Sequence, residues 1–229
     1  MFDSAMNYEL RRHCRRFFAE QTEDAFTFSG RCTGMLMRYR RQLVPAQLNL
    51  LDSHDVGRFL SLCGRDARRY RLAVLFQLCF PGIPSVFYGD ELGASGLVEA
   101  DYRRPMPWQG GNEKLLAFYR RAIALRRELA PLRRGDFRCI SAERGSGLFA
   151  FSREYGGAVP RVKIFLDDAV VFSGGYDKSS GLLYHKDGSW EPGLSIGTNT
   201  SYSSYWSSYQ LDAFDILYFA LGPETVHRG

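Results

Sequence analysis

The chain has 229 residues, 45% of them hydrophobic and 24% charged, a balance that excludes wholesale disorder and collagen-like structure. No apolar run approaches the ~20 residues of a membrane span, and the opening MFDSAMNYELRRH lacks the apolar stretch of a secretory signal. The net charge of +5 is uneven: residues 1–144 hold 24 basic and 16 acidic groups, the remainder 6 and 9.

Two textures follow one another along the chain. Up to about residue 140, helical patterns alternate with short apolar runs, as in β/α units. Glu9 to Glu20 reads as a helix with arginines on one side and Phe17-Phe18 on another. Gln47 to Leu51 is a short β-prone run ending in Asp52-Ser53-His54-Asp55. Asp66 is placed to cap a helix through Tyr70, Val74 and Leu78, which Pro81-Gly82 stops. Ile83 to Tyr88 is a second strand, ending in Gly89-Asp90-Glu91, so Leu43 to Tyr88 forms the strand–helix–strand unit of a parallel sheet. Asn112 is placed to cap an amphipathic helix with Leu115, Phe118, Ala122, Leu125 and Leu129 on one face, followed by Pro131. Beyond residue 140, runs at 147–152, 161–166, 181–184 and 214–219, separated by Gly156-Gly157, Gly174-Gly175 and Asp187-Gly188, read as a small antiparallel β-sandwich. Trp190 reads as core, and the run Tyr202 to Tyr209 as a Ser/aromatic loop or edge strand rather than a sugar-stacking platform.

Five cysteines form an odd set with no C-x-x-C spacing, which argues against a disulfide framework or a zinc site and for reduced thiols in the cytoplasm. Arginine doublets such as Arg11-Arg12, Arg15-Arg16 and Arg126-Arg127 raise the possibility of a nucleic-acid binder. No RRM, KH, helix-turn-helix or zinc-finger pattern accompanies them, and solvated helix faces are the preferred reading.

Both apolar strands end in ionisable clusters, and the C-terminal ends of strands carry the active site of a β/α barrel. Asp55 would stabilise developing positive charge there, and His54 would donate to sugar hydroxyls. Asp52, Ser53 and Asp55 would equally serve as caps of the next turn. Adjacent Ser53, His54 and Asp55 cannot converge as nucleophile, base and orienter of a hydrolase triad. Arg58 reads as half of a surface ion pair, with a substrate contact as the alternative.

Four segments then occur in a telling order: Phe2 to Tyr8 (FDSAMNY), Leu48 to Asp55 (LNLLDSHD), Pro81 to Glu91 (PGIPSVFYGDE) and Arg103 to Trp108 (RRPMPW). Together they resemble the later barrel motifs of the α-amylase superfamily, glycoside hydrolase family 13, and within it the neopullulanase, cyclomaltodextrinase and maltogenic amylase subgroup. The resemblance implies the C-terminal part of a (β/α)8 barrel, strands six to eight, over residues 1–137, and a C-terminal β-sandwich domain over 138–229. It implies that Asp55 is the transition-state stabiliser, that His54 binds the sugar in the reacting subsite, and that Arg103 with Glu99 holds the non-reducing end. Glu99 stands where the subgroup usually has Asp, and Ala100 and Tyr102 also depart from its Asp-Pro-Asp-Cys-Arg run. Asp90-Glu91 matches a motif with a mainly structural role. No metal or cofactor is expected.

Retaining enzymes of this kind need a nucleophile and an acid/base carboxyl ~5–5.5 Å apart. In the family both residues precede the segment that begins here at Phe2, so no counterpart is expected in this chain. The expectation is therefore a fragment of an α-glucan-cleaving hydrolase of the cytoplasm, acting on maltodextrin, cyclodextrin or pullulan-type substrates as a whole protein and inactive as this stretch alone. Met1 lies directly before the strand-six motif, as an internal methionine taken for a start would, and the upstream reading frame is then expected to encode the strand-four and strand-five carboxylates. The alternative is a non-catalytic carbohydrate-binding or complementing subunit, whose partner is the N-terminal part of the barrel. No nucleic-acid or membrane partner is expected.

Overall fold

A computed structural model describes residues 4–142, 144–145 and 147–156, together with the strand segments 161–165, 176–177, 182–184, 190–192, 194–195 and 216–220. Phe2 and Asp3 of the first motif, the 202–209 aromatic run and the Trp190 side chain lie outside the described part.

Asn7 opens α1 (Tyr8–Cys14) by accepting the Leu10 N–H on its side chain at 3.0 Å. The helix expected to run on to Glu20 instead widens into a π turn over Arg15–Ala19, closed by Glu20 N–H to the Arg15 carbonyl at 2.8 Å. Consecutive Phe17 and Phe18 in that turn are both buried. Next comes α2 (Ala25–Arg38), capped by Asp24, then β1 (Leu48–Leu50), α3 (Phe59–Leu62), α4 (Ala67–Cys79) and β2 (Ile83–Ser85). Asp66 caps α4 as its sequence position suggested, accepting the Arg68 N–H at 2.8 Å.

β1 and β2 are parallel, with Leu48 opposite Ile83 and Leu50 opposite Ser85. Met6 forms a parallel bridge to Leu48 on the other side of β1, so three parallel lanes lie side by side. β2 ends at Ser85, short of the expected Tyr88. Gly82 makes the turn into it at φ +126°, and a Cβ there would meet the Asn49 side chain at 2.6 Å and the Gln47 carbonyl at 2.7 Å. The helix between the strands, α4, carries Arg68, Arg69 and Arg71 in its first half and is buried on every side from Leu72 to Cys79.

α5 (Glu99–Tyr102), α6 (Glu113–Glu128) and α7 (Ala130–Arg134) follow, with Asn112 capping α6 through the Leu115 N–H. Pro131 sits inside α7, in its first turn, where its missing N–H costs nothing. β3 (Asp136–Ala142) and β4 (Leu148–Glu154) form an antiparallel pair with an irregularity between Cys139 and Ser141, and β4 pairs with β5 (Arg161–Phe165). Because β3 begins at Asp136, the boundary expected after residue 137 falls within it. β6 (Tyr176–Asp177), β7 (Leu182–Tyr184) and β8 (Trp190–Pro192) make a small antiparallel sheet. β9 (Leu194–Ser195) and β10 (Ile216–Ala220) complete the larger one, in the order β3-β4-β5-β10-β9. This sheet is mixed, not purely antiparallel as expected, because β10 runs parallel to both β5 and β9. A parallel neighbour needs a long return connection, and the stretch from Phe165 to Ile216 supplies it.

One aromatic core joins the helices to the sheet. Phe17 stacks on Phe28 at 4.3 Å, Phe28 meets Phe149 of β4 at 5.3 Å, and Phe76 of α4 meets Phe151 at 5.8 Å. Arg153 of β4, 1% exposed, extends the link by donating to the carbonyls of Cys79, Leu132 and Gly135. Arg126 donates to Leu78, Leu132 and Gly82. The Leu78 and Cys79 carbonyls end α4 and those of Leu132 and Gly135 end α7, so helix C-termini stand in for a carboxylate partner, while Gly82 adds the turn into β2. Among the described residues no helix is long and apolar enough to cross a membrane, and the five cysteines are free thiols.

Candidate active site

The ends of the parallel lanes are laced together by buried amides. Asn7 donates to the Asn49 side chain at 3.0 Å, and Asn49 donates to the Pro81 carbonyl at 2.9 Å. Gln77 bridges the main chains of β1 and β2, donating to Asn49 at 2.9 Å and Ser85 at 2.7 Å. Each amide is satisfied across a lane, so the lanes cannot slide past one another without stranding a buried polar group.

The chain turns outward directly after β1. Ser53 is buried, accepts the Asp55 N–H on its hydroxyl at 3.2 Å, and shares a hydrogen bond with the Tyr8 hydroxyl at 2.9 Å. This holds His54 and Asp55 up at the rim, with side chains 64% and 57% exposed. His54 Nε2 lies 3.2 Å from Asp55 Oδ1. Arg103, at the end of α5, reaches the same place from a distant segment. Its Nε–H donates to the His54 carbonyl at 2.8 Å, Nη1 pairs with Glu99 at 2.8 Å, and Nη2 stands 3.7 Å from Asp55 Oδ1. All four residues singled out in the sequence therefore meet in one exposed cluster.

Arg58 departs from its expected place. It is 1% exposed rather than on the surface, and its ion pair, with Asp90 at 2.8 Å, is fully buried. Beside it Asp52 accepts the Phe59 N–H at 2.7 Å on one oxygen, while its other oxygen meets no N–H or hydroxyl. The Asp90 carboxyl is close enough for the two acids to influence each other's protonation. Burial pushes Asp52 up to about 6, and burial with the adjacent Asp52 pushes Asp90 above the usual carboxylate range. Arg11 faces the pair from α1 and donates to the Leu51 and Gly57 carbonyls at 2.6 and 2.9 Å. Arg11 is thus turned inward from a doublet expected to be solvated. Other doublet members pair locally, Arg15 with Glu20, and Arg16 with Glu23.

Above the buried acids, the rim offers an imidazole, a guanidinium and two carboxylates to hydroxyl-rich ligands. Arg103 stands between Asp55 and Glu99, so these carboxylates do not face a common atom as a nucleophile and an acid must. Among the described residues no group of three or more His, Cys, Asp and Glu side chains is arranged to hold a metal ion. Asp52 and Ser53 take the turn-capping roles read from the sequence, accepting the Phe59 and Asp55 N–H groups, whereas the inward contacts of Tyr8 and Arg11 were not legible because their partners lie some forty residues away. Phe59, apolar directly after Arg58, was the one local sign that the turn goes inward.

Residues 1–113 match the family described as alpha amylase, catalytic domain. Neopullulanase 2 of Thermoactinomyces vulgaris is 44% identical over 154 residues, covering 66% of this chain and 26% of that protein. A cyclomaltodextrinase of Geobacillus thermopakistaniensis is 40% identical over 144 residues, 62% of this chain and 24% of the relative. A solved structure of a cyclomaltodextrinase superposes with a TM-score of 0.71 at 38% identity, over 74% of this chain and 29% of that one. The chain spans about a quarter of the length of these curated relatives.

Proposed function

We propose, from a chain whose residues 1–113 belong to the alpha-amylase catalytic-domain family and form a portion of its (β/α)8 barrel, that the rim around Asp55 binds α-glucan oligosaccharides. In this reading the Met6 lane, β1 and β2 are strands six to eight, and the β-rich remainder is the C-terminal domain. Asp55 is the carboxylate that stabilises an oxocarbenium-like transition state, His54 donates to hydroxyls of the reacting sugar, and Arg103 with Glu99 holds the non-reducing end. The observation that carries the reading is the convergence of two distant segments on one rim, through the Arg103 bond to His54 and its pairing with Glu99 and Asp55.

One stabilising carboxylate does not make a double-displacement enzyme, so these 229 residues bind sugar without cleaving it. The parallel lanes support a complementary role: the edges at Met6 and β2 are unpaired among the described residues, and Met6 and Ile83 are exposed there. The partner that fits is the N-terminal part of the same kind of barrel, carrying the nucleophile and acid/base, with the assembly acting on maltodextrin, cyclodextrin or pullulan-type glucans. The free thiols suit the cytoplasm.

The test is release of reducing ends from maltotriose by the purified chain. None is expected, and turnover that Asp55→Asn abolishes would overturn the claim that this stretch is inactive alone.

A further inference from the structure

The rim is made of two segments, 53–58 and 96–103, that share no regular structure. Three bonds cross between them, and two belong to Arg58, three residues after Asp55. The Arg58 N–H donates to the Gly96 carbonyl at 2.8 Å, and its Nε–H donates to Tyr102, the residue before Arg103, at 3.2 Å. The third is the Arg103 bond to His54 on the outside. Arg58 Nη1 also donates to the Tyr88 carbonyl at 2.8 Å, and the guanidinium lies 4.3 and 4.9 Å from the Phe87 and Tyr88 ring centres.

Asp90 fixes this fork. One of its oxygens accepts Arg58 Nη1 at 2.8 Å, and the other accepts the Phe87 N–H at 3.1 Å. The outer contacts of Arg103 are exposed, and exposed pairs of this kind define geometry weakly. The inner ones are dry and charge-assisted, and a planar guanidinium serves three acceptors in fixed directions where an ammonium would not.

We propose that Arg58, oriented by Asp90, is a positioning residue that sets the Glu99–Arg103 arm against His54 and Asp55, so that the rim is formed before a sugar arrives. This rests on the reading of the rim as an α-glucan site. Arg58 itself touches no sugar in this arrangement. It acts through Tyr102 and Arg103, which makes the arm and the Asp55 turn one rigid unit.

The experiment compares the 229-residue chain with Arg58→Lys and Asp90→Asn. Phe149→Ala, a cavity in the aromatic core away from the rim, serves as the control for general destabilisation. Three quantities are read: Tm, solvent exchange of the Arg103 Nε–H by 15N NMR, and maltotriose affinity by titration. Arg58→Lys and Asp90→Asn are expected to speed the Arg103 exchange and weaken maltotriose binding, each about tenfold, the scale of one lost charge-assisted contact. The control, whatever its Tm, leaves both unchanged. Asp90→Asn preserves side-chain size and keeps the question open to measurement where Arg58→Lys does not fold. Unchanged Arg103 exchange in the folded variants overturns the positioning role, whether or not maltotriose binds. Faster exchange in a chain whose parent ignores maltotriose supports positioning and removes the sugar reading instead.

Discussion

Arg103 donates its Nε–H to the main-chain oxygen of His54 at 2.8 Å, so a residue on the α5 side of the rim is bonded to the backbone of the turn that carries Asp55. The same side chain faces Glu99 and Asp55 with its remaining nitrogens. All four side chains are 45–65% exposed, and such pairs contribute ~0–1 kcal/mol each to folding. Arg103→Met is therefore expected to lower Tm by no more than about 4 °C. Maltotriose affinity is expected to fall about tenfold, as the loss of a charged contact does. Calorimetric unfolding beside a maltotriose titration separates the two effects, and a large Tm loss would make Arg103 a structural residue.

Arg153 links β4 to the ends of α4 and α7 from a site 1% exposed. Burial pushes its guanidinium down to about 10, still charged at neutral pH. Arg153→Met strands three carbonyls and should cost about 2–4 kcal/mol, with Arg153→Lys recovering only part because one ammonium cannot reach all three. Helix-dominated far-UV signal and the near-UV signal of the aromatic core should fall in one shared transition, since Phe149 and Phe151 belong to the same core as Phe17 and Phe76. Two separated transitions would mean that helices and sheet fold as independent units.

Gly82 is set between α4 and β2 at φ +126°, with Asn49 and the Gln47 carbonyl where a Cβ would stand. Gly82→Ala forces both the turn and the amide that laces β1 to Pro81. A loss of about 2 kcal/mol or more is expected in chemical denaturation. A neutral substitution would show that the lanes tolerate sliding.

The Asp52–Asp90 pair gives stability a defined pH slope. Asp52 titrates at 3.8 when unperturbed and at about 6 when folded, and Asp90 is raised as well. The folded chain therefore binds more protons than the unfolded one above pH 3.8, and the pair's contribution declines as pH rises through about 6. Asp52→Asn removes the charge that Asp90 opposes. Its Tm relative to the parent is expected to climb between pH 4 and 7, and a constant difference over that range would mean that burial does not raise Asp52 in the folded chain.

What the sequence revealed depended on how local the physics was. Asp66 and Asn112 cap helices through N–H groups two or three residues away, so their roles were legible from spacing. The parallel pairing of β1 with β2 followed from strand–helix–strand order. The rim cluster was legible only because four motifs in a familiar order implied it, since nothing in the spacing of Glu99 and Asp55 says that they meet. α2 escaped notice because Gly30 and Gly34 weaken its helical signal, while Asp24 and the buried Phe28 and Met35 hold it in place. Arg58 looked like a surface residue because its partner, Asp90, lies thirty-two residues away and its burial depends on both turns closing over it. The return of β10 beside β5 is set by tertiary pairing alone.

Titration of the 15N-labelled 229-residue chain with maltotriose tests the proposed α-glucan rim most directly. Saturable shifts confined to His54, Asp55, Glu99 and Arg103, lost in Asp55→Asn while the rest of the spectrum stays in place, are expected. A spectrum unmoved by maltotriose, or shifts that leave this rim untouched, would contradict it.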